Sequence, residues 1–380
     1  MSSLVIRGQA FHWGRQTYIM GILNATPDSF SGDGLRGLDT LRYSTGEERG
    51  LRGLDTLRYS TGEERGPEGL DTLRYSTGEE RGLRGLDTLR YSTGEERGLR
   101  GLDTLRYSTG GSSTGGSSTG GSPTGEERWI DAAIEQGRRM VAAGAHILDV
   151  GGESTRPGAQ PVSADEELRR VIPLIQGLAA AVDVPISIDT SKAAVAAAAL
   201  AAGASLVNDV WGLRLDPAIA QVAAQQGAPV ILMHNRSRRQ QVSIDPALGG
   251  HYVGTDYNEL LGDIAAELQV SIDLAHAAGI PDSHILLDPG IGFGKTVAQN
   301  LALLDRLGEL RSLGFPLLVG PSRKSFIGYT LDLPPEQRIE GTAAAVAIAI
   351  ARGADVVRVH DVQPMARVAR MADAIVRRET

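Results

Sequence analysis

The stretch HILLDPGIGFGK, residues 284–295, decides how the rest of the chain is read. Its apolar run Ile285-Leu286-Leu287 stops at Asp288 and gives way to Pro289 and a glycine-rich turn. A continuous Leu/Ile/Val run, without polar alternation, marks a parallel strand buried on both faces. Seven further runs stop in the same way. They are YIMGIL at Asn24, HILDV around Asp149, PISI at Asp189, SLV at Asn208 and Asp209, PVILM at His234, PLLVG before Ser322, Arg323 and Lys324, and VVRV around Arg358 and His360. Eight such strands alternating with helices predict an α/β fold, the (β/α)8 or TIM barrel. In that architecture the active site lies where the strands end, so the polar stops outline a candidate mouth.

The helical segments agree. After Glu126, the residues Trp129, Ile130, Ala133, Ile134, Met140 and Val141 form one helical stripe, with Gly144 as its stop. Ser163 to Glu166 reads as a capping box and Asp216-Pro217 as a helix start. Tyr257–Ala278 and Gly341–Ala351 are expected to be further helices. Leu4–Ile6 and Phe11–Trp13 are expected to form a small hairpin closing the barrel floor.

A unit of sixteen residues, GLDTLRYSTGEERGLR, starts at Gly37 and recurs at Gly53, Gly69, Gly85 and Gly101, the second copy ending in Pro67-Glu68. Its few leucines and single tyrosine cannot offset the entropy of ordering the chain, and the GGSST tail that follows is a linker composition. The expected organisation is therefore residues 1–34 as hairpin, first strand and first catalytic loop; 35–125 as a disordered repeat insertion in the first βα loop; and 126–380 as the rest of the barrel. The chain has 380 residues and, without the insertion, roughly 290 remain for one barrel.

A net charge of −8 with mixed signs argues against a nucleic-acid surface. There is no cysteine, hence no disulfide or thiolate metal site, and no apolar run reaches the length of a membrane span. The N-terminal residues lack the pattern of a signal peptide, so a cytoplasmic enzyme is expected.

The chemistry follows from residue types. A carboxylate at the end of a buried strand, as at Asp288, can accept a fork of N–H donors from a flat heterocycle, whereas Asp189 can equally orient its loop while Thr190 or Ser191 caps the next helix. An N-cap or a core ion pair would use the same residue type. Asn208 donates and accepts together, and Asp209 is placed behind it. Gly290–Lys295 resembles a phosphate loop without Walker A spacing, and Phe293 is a candidate stacking platform. Ser322–Ser325 and Arg358-Val-His360 follow the last two strands, where barrels hold phosphate, and make a candidate anion pocket. His234 and His251 read as ordinary polar residues. No ligand triplet for zinc is visible, and the residues are compatible with, but do not require, a weakly held Mg2+ on a diphosphate.

Taken together, seven segments resemble dihydropteroate synthase: Asn24–Gly34, Gly151–Gly158, Ser187–Ser191, Asn208–Val210, Asp288–Lys295, Ser322–Ser325 and Arg358–Val362. The resemblance implies condensation of (7,8-dihydropterin-6-yl)methyl diphosphate with 4-aminobenzoate, giving 7,8-dihydropteroate and diphosphate in folate synthesis. It implies that Asp189, Asn208, Asp288 and Lys324 hold the pterin edge, and that Thr155, Arg358 and His360 contact the diphosphate. Arg156 joins the substrate-binding set, and Asn24 binds Mg2+. Phe30, Pro157, Phe293, Lys324 and Ser325 border the aminobenzoate, where sulfonamides would compete. Asp33 faces the developing positive charge and, with Asp189, Lys324, Arg358 and His360, makes up the catalytic set. The implied partners are small-molecule substrates, with neither nucleic acid nor membrane, in a homodimer. The competing readings are a pterin-binding methyltransferase on the same barrel and a non-catalytic pterin binder whose repeats recruit a partner.

Overall fold

A computed structural model of the chain describes residues 3–25, 125–155, 159–254 and 256–377. The expected insertion at 35–125 lies outside them, apart from its last residue. Two antiparallel strands come first, β1 (Leu4–Ile6) and β2 (Gln9–Phe11), paired from Leu4↔Phe11 to Ile6↔Gln9. The second strand ends at Phe11 rather than Trp13. Arg7 and Gly8 turn between the strands at φ of 47° and 77°, the geometry that a two-residue hairpin requires.

Eight parallel strands follow: β3 (Tyr18–Asn24), β4 (Ile147–Gly151), β5 (Ile186–Asp189), β6 (Leu206–Asp209), β7 (Val230–Met233), β10 (Ile285–Asp288), β11 (Leu318–Val319) and β12 (Val356–Val359). Each pairs with the next in chain order except β10 with β11, and β12 pairs with β3. A parallel bridge between Leu287 and Leu317 closes the remaining gap, so the sheet is a barrel. These are the eight apolar runs of the sequence.

Helices cover the outside: α1 (Gly125–Ala142), α2 (Ala164–Ala181), α3 (Ala193–Ala202), α4 (Ala218–Gln226), α5 (Leu260–Ala277), α6 (Val297–Asp305), α7 (Ser325–Leu331), α8 (Ile339–Ala351) and α9 (Val362–Val376). The Ser163 hydroxyl caps α2 by accepting from the Glu166 N–H. Asp216 accepts from the Ala218 N–H, so α4 starts one residue later than the Asp-Pro signal suggests. A second hairpin, β8 (Val242–Asp245) and β9 (Gly249–Tyr252), lies between β7 and α5.

Because side chains alternate along a strand, outward residues pack on the helices and inward ones fill the barrel. The inward set at the N-terminal end is Met20, Ile147, Leu206, Ile231, Leu286, Leu318 and Val356. Leu4, Ile6 and Phe11 of the first hairpin cover this layer, as expected of a floor. Among the described residues no helix is long and apolar enough to cross a membrane.

Candidate active site

Two residues above the apolar floor, the same inward alternation brings a polar layer. Ile147 is followed by Asp149, Leu206 by Asn208, Leu286 by Asp288 and Val356 by Arg358; Asp189 stands beside Asn208 in register. All four acidic and amide side chains are buried: Asp149, Asp189, Asn208 and Asp288.

Arg358 ties the layer together. Its Nε donates to Asp149 Oδ2 and its Nη2 to Asp189 Oδ2, each at 2.6 Å. Asn208 Nδ2 donates to the same Asp149 oxygen at 3.2 Å. Burial works against the guanidinium, but the two carboxylates raise its pKa further. Asp189 is pushed up to about 7, by burial first, with Arg358 opposing and Asp149 adding. Burial also raises Asp288, against the pull of Lys324 and of the Gly290 N–H, which donates to Asp288 Oδ1 at 2.7 Å. Burial lowers Lys324 to about 8. Its ammonium donates to the Ile291 carbonyl and stands 4.5 Å from the centre of the Phe293 ring. Arg358 and Lys324 each stand close enough to Asp189 and Asp288 to act electrostatically on both. Neither Asp149 Oδ1 nor Ser187 Oγ, both buried, has a hydrogen-bond partner among the described residues. Such atoms call for a donor from water or ligand.

A cavity of about 170 Å3 meets this layer at Asp189 alone; its other walls include Thr155, Trp211, Asn235, Tyr252 and Phe293. Beyond the ends of β11 and β12, His360 Nδ1 lies 3.0 Å from Ser322 Oγ, which also accepts from the His360 N–H. Arg323 makes a two-pronged contact with Asp361 at 2.8 and 2.6 Å and so is committed to the loop after β12. Ser325 opens α7 and Asn24 ends β3, half-buried beside Gly151. Thr155 is exposed. Phe30, Asp33, Arg156 and Pro157 lie outside the described residues.

Several groups of the site are not singled out by the sequence. Asp149 is visible there only as a polar break in a strand, and Trp211 only as a loop aromatic. Lys192 joins Glu153 of the second βα loop to the buried Glu167 of α2. Lys295 is not part of an open anion pocket: its ammonium is buried against His234.

A family model described as "Pterin binding enzyme" matches residues 119–360. The dihydropteroate synthase of Synechocystis is 52% identical over 247 residues, covering 65% of this chain and 82% of the relative. The chain belongs to the dihydropteroate synthase family. A solved dihydropteroate synthase from Clostridium difficile, crystallised in the presence of pteroic acid, superposes with a TM-score of 0.66 at 37% identity. That likeness covers 97% of this chain and 100% of the other. A Yersinia pestis dihydropteroate synthase in complex with a sulfonamide drug gives a TM-score of 0.67 at 32% identity, over 98% of each chain. As a member of this family the chain is a transferase, and the barrel expected from its strand pattern is the barrel of these relatives.

Among the described residues no cluster of three His, Asp or Glu can enclose a metal ion. The donor offered at the end of β3 is one neutral amide oxygen, Asn24 Oδ1. Magnesium is commonly held by one or two protein oxygens plus substrate phosphates and water, and a lone Asn fits that role but not a resident metal centre.

Proposed function

We propose that this chain joins (7,8-dihydropterin-6-yl)methyl diphosphate to 4-aminobenzoate. The observation that carries the reading is the inward layer of Asp149, Asp189, Asn208 and Asp288, gathered on one side of a barrel around Arg358 and Lys324. A pterin's amide and amino edge presents several N–H donors in one plane, and this layer presents buried acceptors at matching depth. Asp189, Asn208 and Asp288 accept that edge, and Lys324 donates to a ring acceptor. Arg358 has its fork on Asp149 and Asp189, so its first task is to hold that pair of side chains in place. His360, oriented by Ser322, and Thr155 then take the diphosphate, with Arg156 from the same loop. Asn24 supplies one oxygen to a Mg2+ carried by the diphosphate.

The methylene C–O bond breaks as diphosphate departs. The electron-rich pterin ring stabilises the cation left behind, and Asp33 faces it. The aryl amine of aminobenzoate attacks the methylene, a C–N bond forms, and the extra amine proton leaves to solvent or to diphosphate. Aryl amines are uncharged at neutral pH, so little base assistance is needed. The enzyme's contribution is to stabilise the departing anion and to keep water from the cation. Phe30, Pro157, Phe293, Lys324 and Ser325 border the aminobenzoate, the place where a sulfonamide competes. The reading includes a cytoplasmic homodimer, whose oligomeric part light scattering tests.

A diphosphate-release assay with aminobenzoate supplied and withheld tests the reaction. Release with both substrates, accompanied by 7,8-dihydropteroate, is expected. Methyl transfer, or pterin binding without any release, would favour the competing readings.

A further inference from the structure

Lys295 ends the glycine-rich turn after β10, yet it is 1% exposed. An ammonium in the interior is costly unless its three N–H groups all find acceptors. Here they do: His234 Nδ1 at 2.9 Å, the Gly290 carbonyl at 3.0 Å and the Phe293 carbonyl at 3.1 Å. On its other side the His234 ring has Nε2 3.3 Å from Glu267 Oε2. Glu267 is held in turn by Arg214 at 2.8 Å and Arg236 at 2.5 Å. Burial, and then Lys295, hold His234 down to about 3, so its ring is neutral. The tautomer that lets Nδ1 accept from Lys295 carries its proton on Nε2, which faces Glu267 without a geometrically formed hydrogen bond. Burial also pulls the Lys295 ammonium well down, with Asp288 opposing. In the charged form all three N–H groups are matched by acceptors, and the nearby Asp288 favours it.

Each carbonyl that Lys295 grips belongs to a residue of the site. The Gly290 N–H bonds Asp288, and the Phe293 ring lies beneath the Lys324 ammonium. Asn300 braces the same turn from α6, accepting from the Gly292 N–H at 2.6 Å and donating to the Lys295 carbonyl at 3.1 Å. Asp288 has a separate anchor, because β10 pairs with β7 residue by residue from Ile285 to Asp288. Phe293 has no strand to hold it and depends on the turn.

We propose that Lys295 is a positioning residue for the condensation, fixing the Gly290 and Phe293 carbonyls so that the Phe293 ring is held at the aminobenzoate side of the pocket. This rests on the assignment of Asp288 to the pterin and Phe293 to the aminobenzoate made above.

The test is Lys295→Met in the full chain, with steady-state kinetics in both substrates. The aminobenzoate KM is expected to rise about tenfold, the scale of one charge-assisted hydrogen bond. The KM for the pterin diphosphate and kcat should stay within about threefold, since strand pairing still holds Asp288. Unchanged constants, or equal rises in both KM values, overturn the proposal. Should circular dichroism show Lys295→Met unfolded, His234→Ala is read instead; it keeps the ammonium and removes one acceptor. A selective rise of about threefold in the aminobenzoate KM then supports the proposal, and its absence overturns it. A wild-type chain that forms no product would refute the reading of the reaction, whereas an active wild type with an unselective variant refutes the role of Lys295 alone.

Discussion

At Asp189, burial raises the carboxyl pKa to about 7 although Arg358 bonds it directly. The ionised form accepts at both oxygens with no O–H facing the ligand's donors, whereas the protonated form turns a donor toward them. Pterin affinity should therefore climb as pH rises through about 7 and fall several-fold by about pH 6. For stability the sign is opposite. Between the unfolded value of 3.8 and about 7, the folded state holds a proton that the unfolded chain has released. Stability from this group is thus fully present below 3.8 and is lost as pH rises through about 7. Calorimetric titration with a dihydropterin at two pH values checks the affinity, and Asp189→Asn should flatten the profile; a flat wild-type profile would remove Asp189 from the pterin edge. The position of Asp189, Asn208 and Asp288 is legible in the sequence because each ends an apolar run, and strand ends converge in a barrel. The Asp149–Arg358 contact is not legible, because its partners stand 209 positions apart and nothing in either run names the other. Arg358 reads as a free cation in the sequence for the same reason.

At the scale of an element, the turn after β10 is recognisable as a turn, but its glycines have a different purpose from the one their pattern suggests. The pattern resembles a phosphate loop. In the fold, a Cβ on Gly290 would stand 1.9 Å from the His234 carbonyl oxygen, and one on Gly294 would stand 2.3 Å from the Arg236 carbonyl carbon. These glycines let two loops touch backbone to backbone, and Gly290 also has a φ of +71°. Gly227, at φ +61° with nothing within 4 Å of a Cβ, isolates the conformational part of the cost. Gly227→Ala should lose about 1 kcal/mol, the left-handed penalty alone. Gly290→Ala should lose at least twice that, roughly 3 kcal/mol, because the His234 backbone must also move. Urea denaturation of the two variants measures the difference, and equal losses would mean that the close approach carries no weight. The β8–β9 hairpin escapes a search for continuous apolar runs because its strands are half-exposed and carry few apolar residues. It is nevertheless fastened, by a Tyr329 hydroxyl donating to the Gly249 carbonyl at 3.1 Å and by Arg338 Nη2 donating to the Leu248 carbonyl at 2.9 Å.

Across the whole molecule, stability and chemistry are placed at opposite ends of one barrel. The floor is apolar and sealed by the first hairpin; the polar layer with its raised and lowered pKa values lies two residues higher on the same strands. That separation is legible from the hairpin's alternating apolar residues and from the polar strand ends. It also makes a prediction that a mixed arrangement would not. Phe11 is 1% exposed and its ring centre lies 4.7 Å from that of Tyr18 and 5.8 Å from that of Trp13. Phe11→Ala removes a buried aromatic from the floor and should cost about 3–5 kcal/mol, seen as a lower denaturation midpoint. Below that midpoint, both KM values and kcat should stay within about twofold of wild type, because the strands between floor and mouth are held by their own ladder and by the outer helices. A fall in stability together with a selective change in either KM would show that the floor and the mouth share strain through the barrel interior, and the division between them would have to be abandoned.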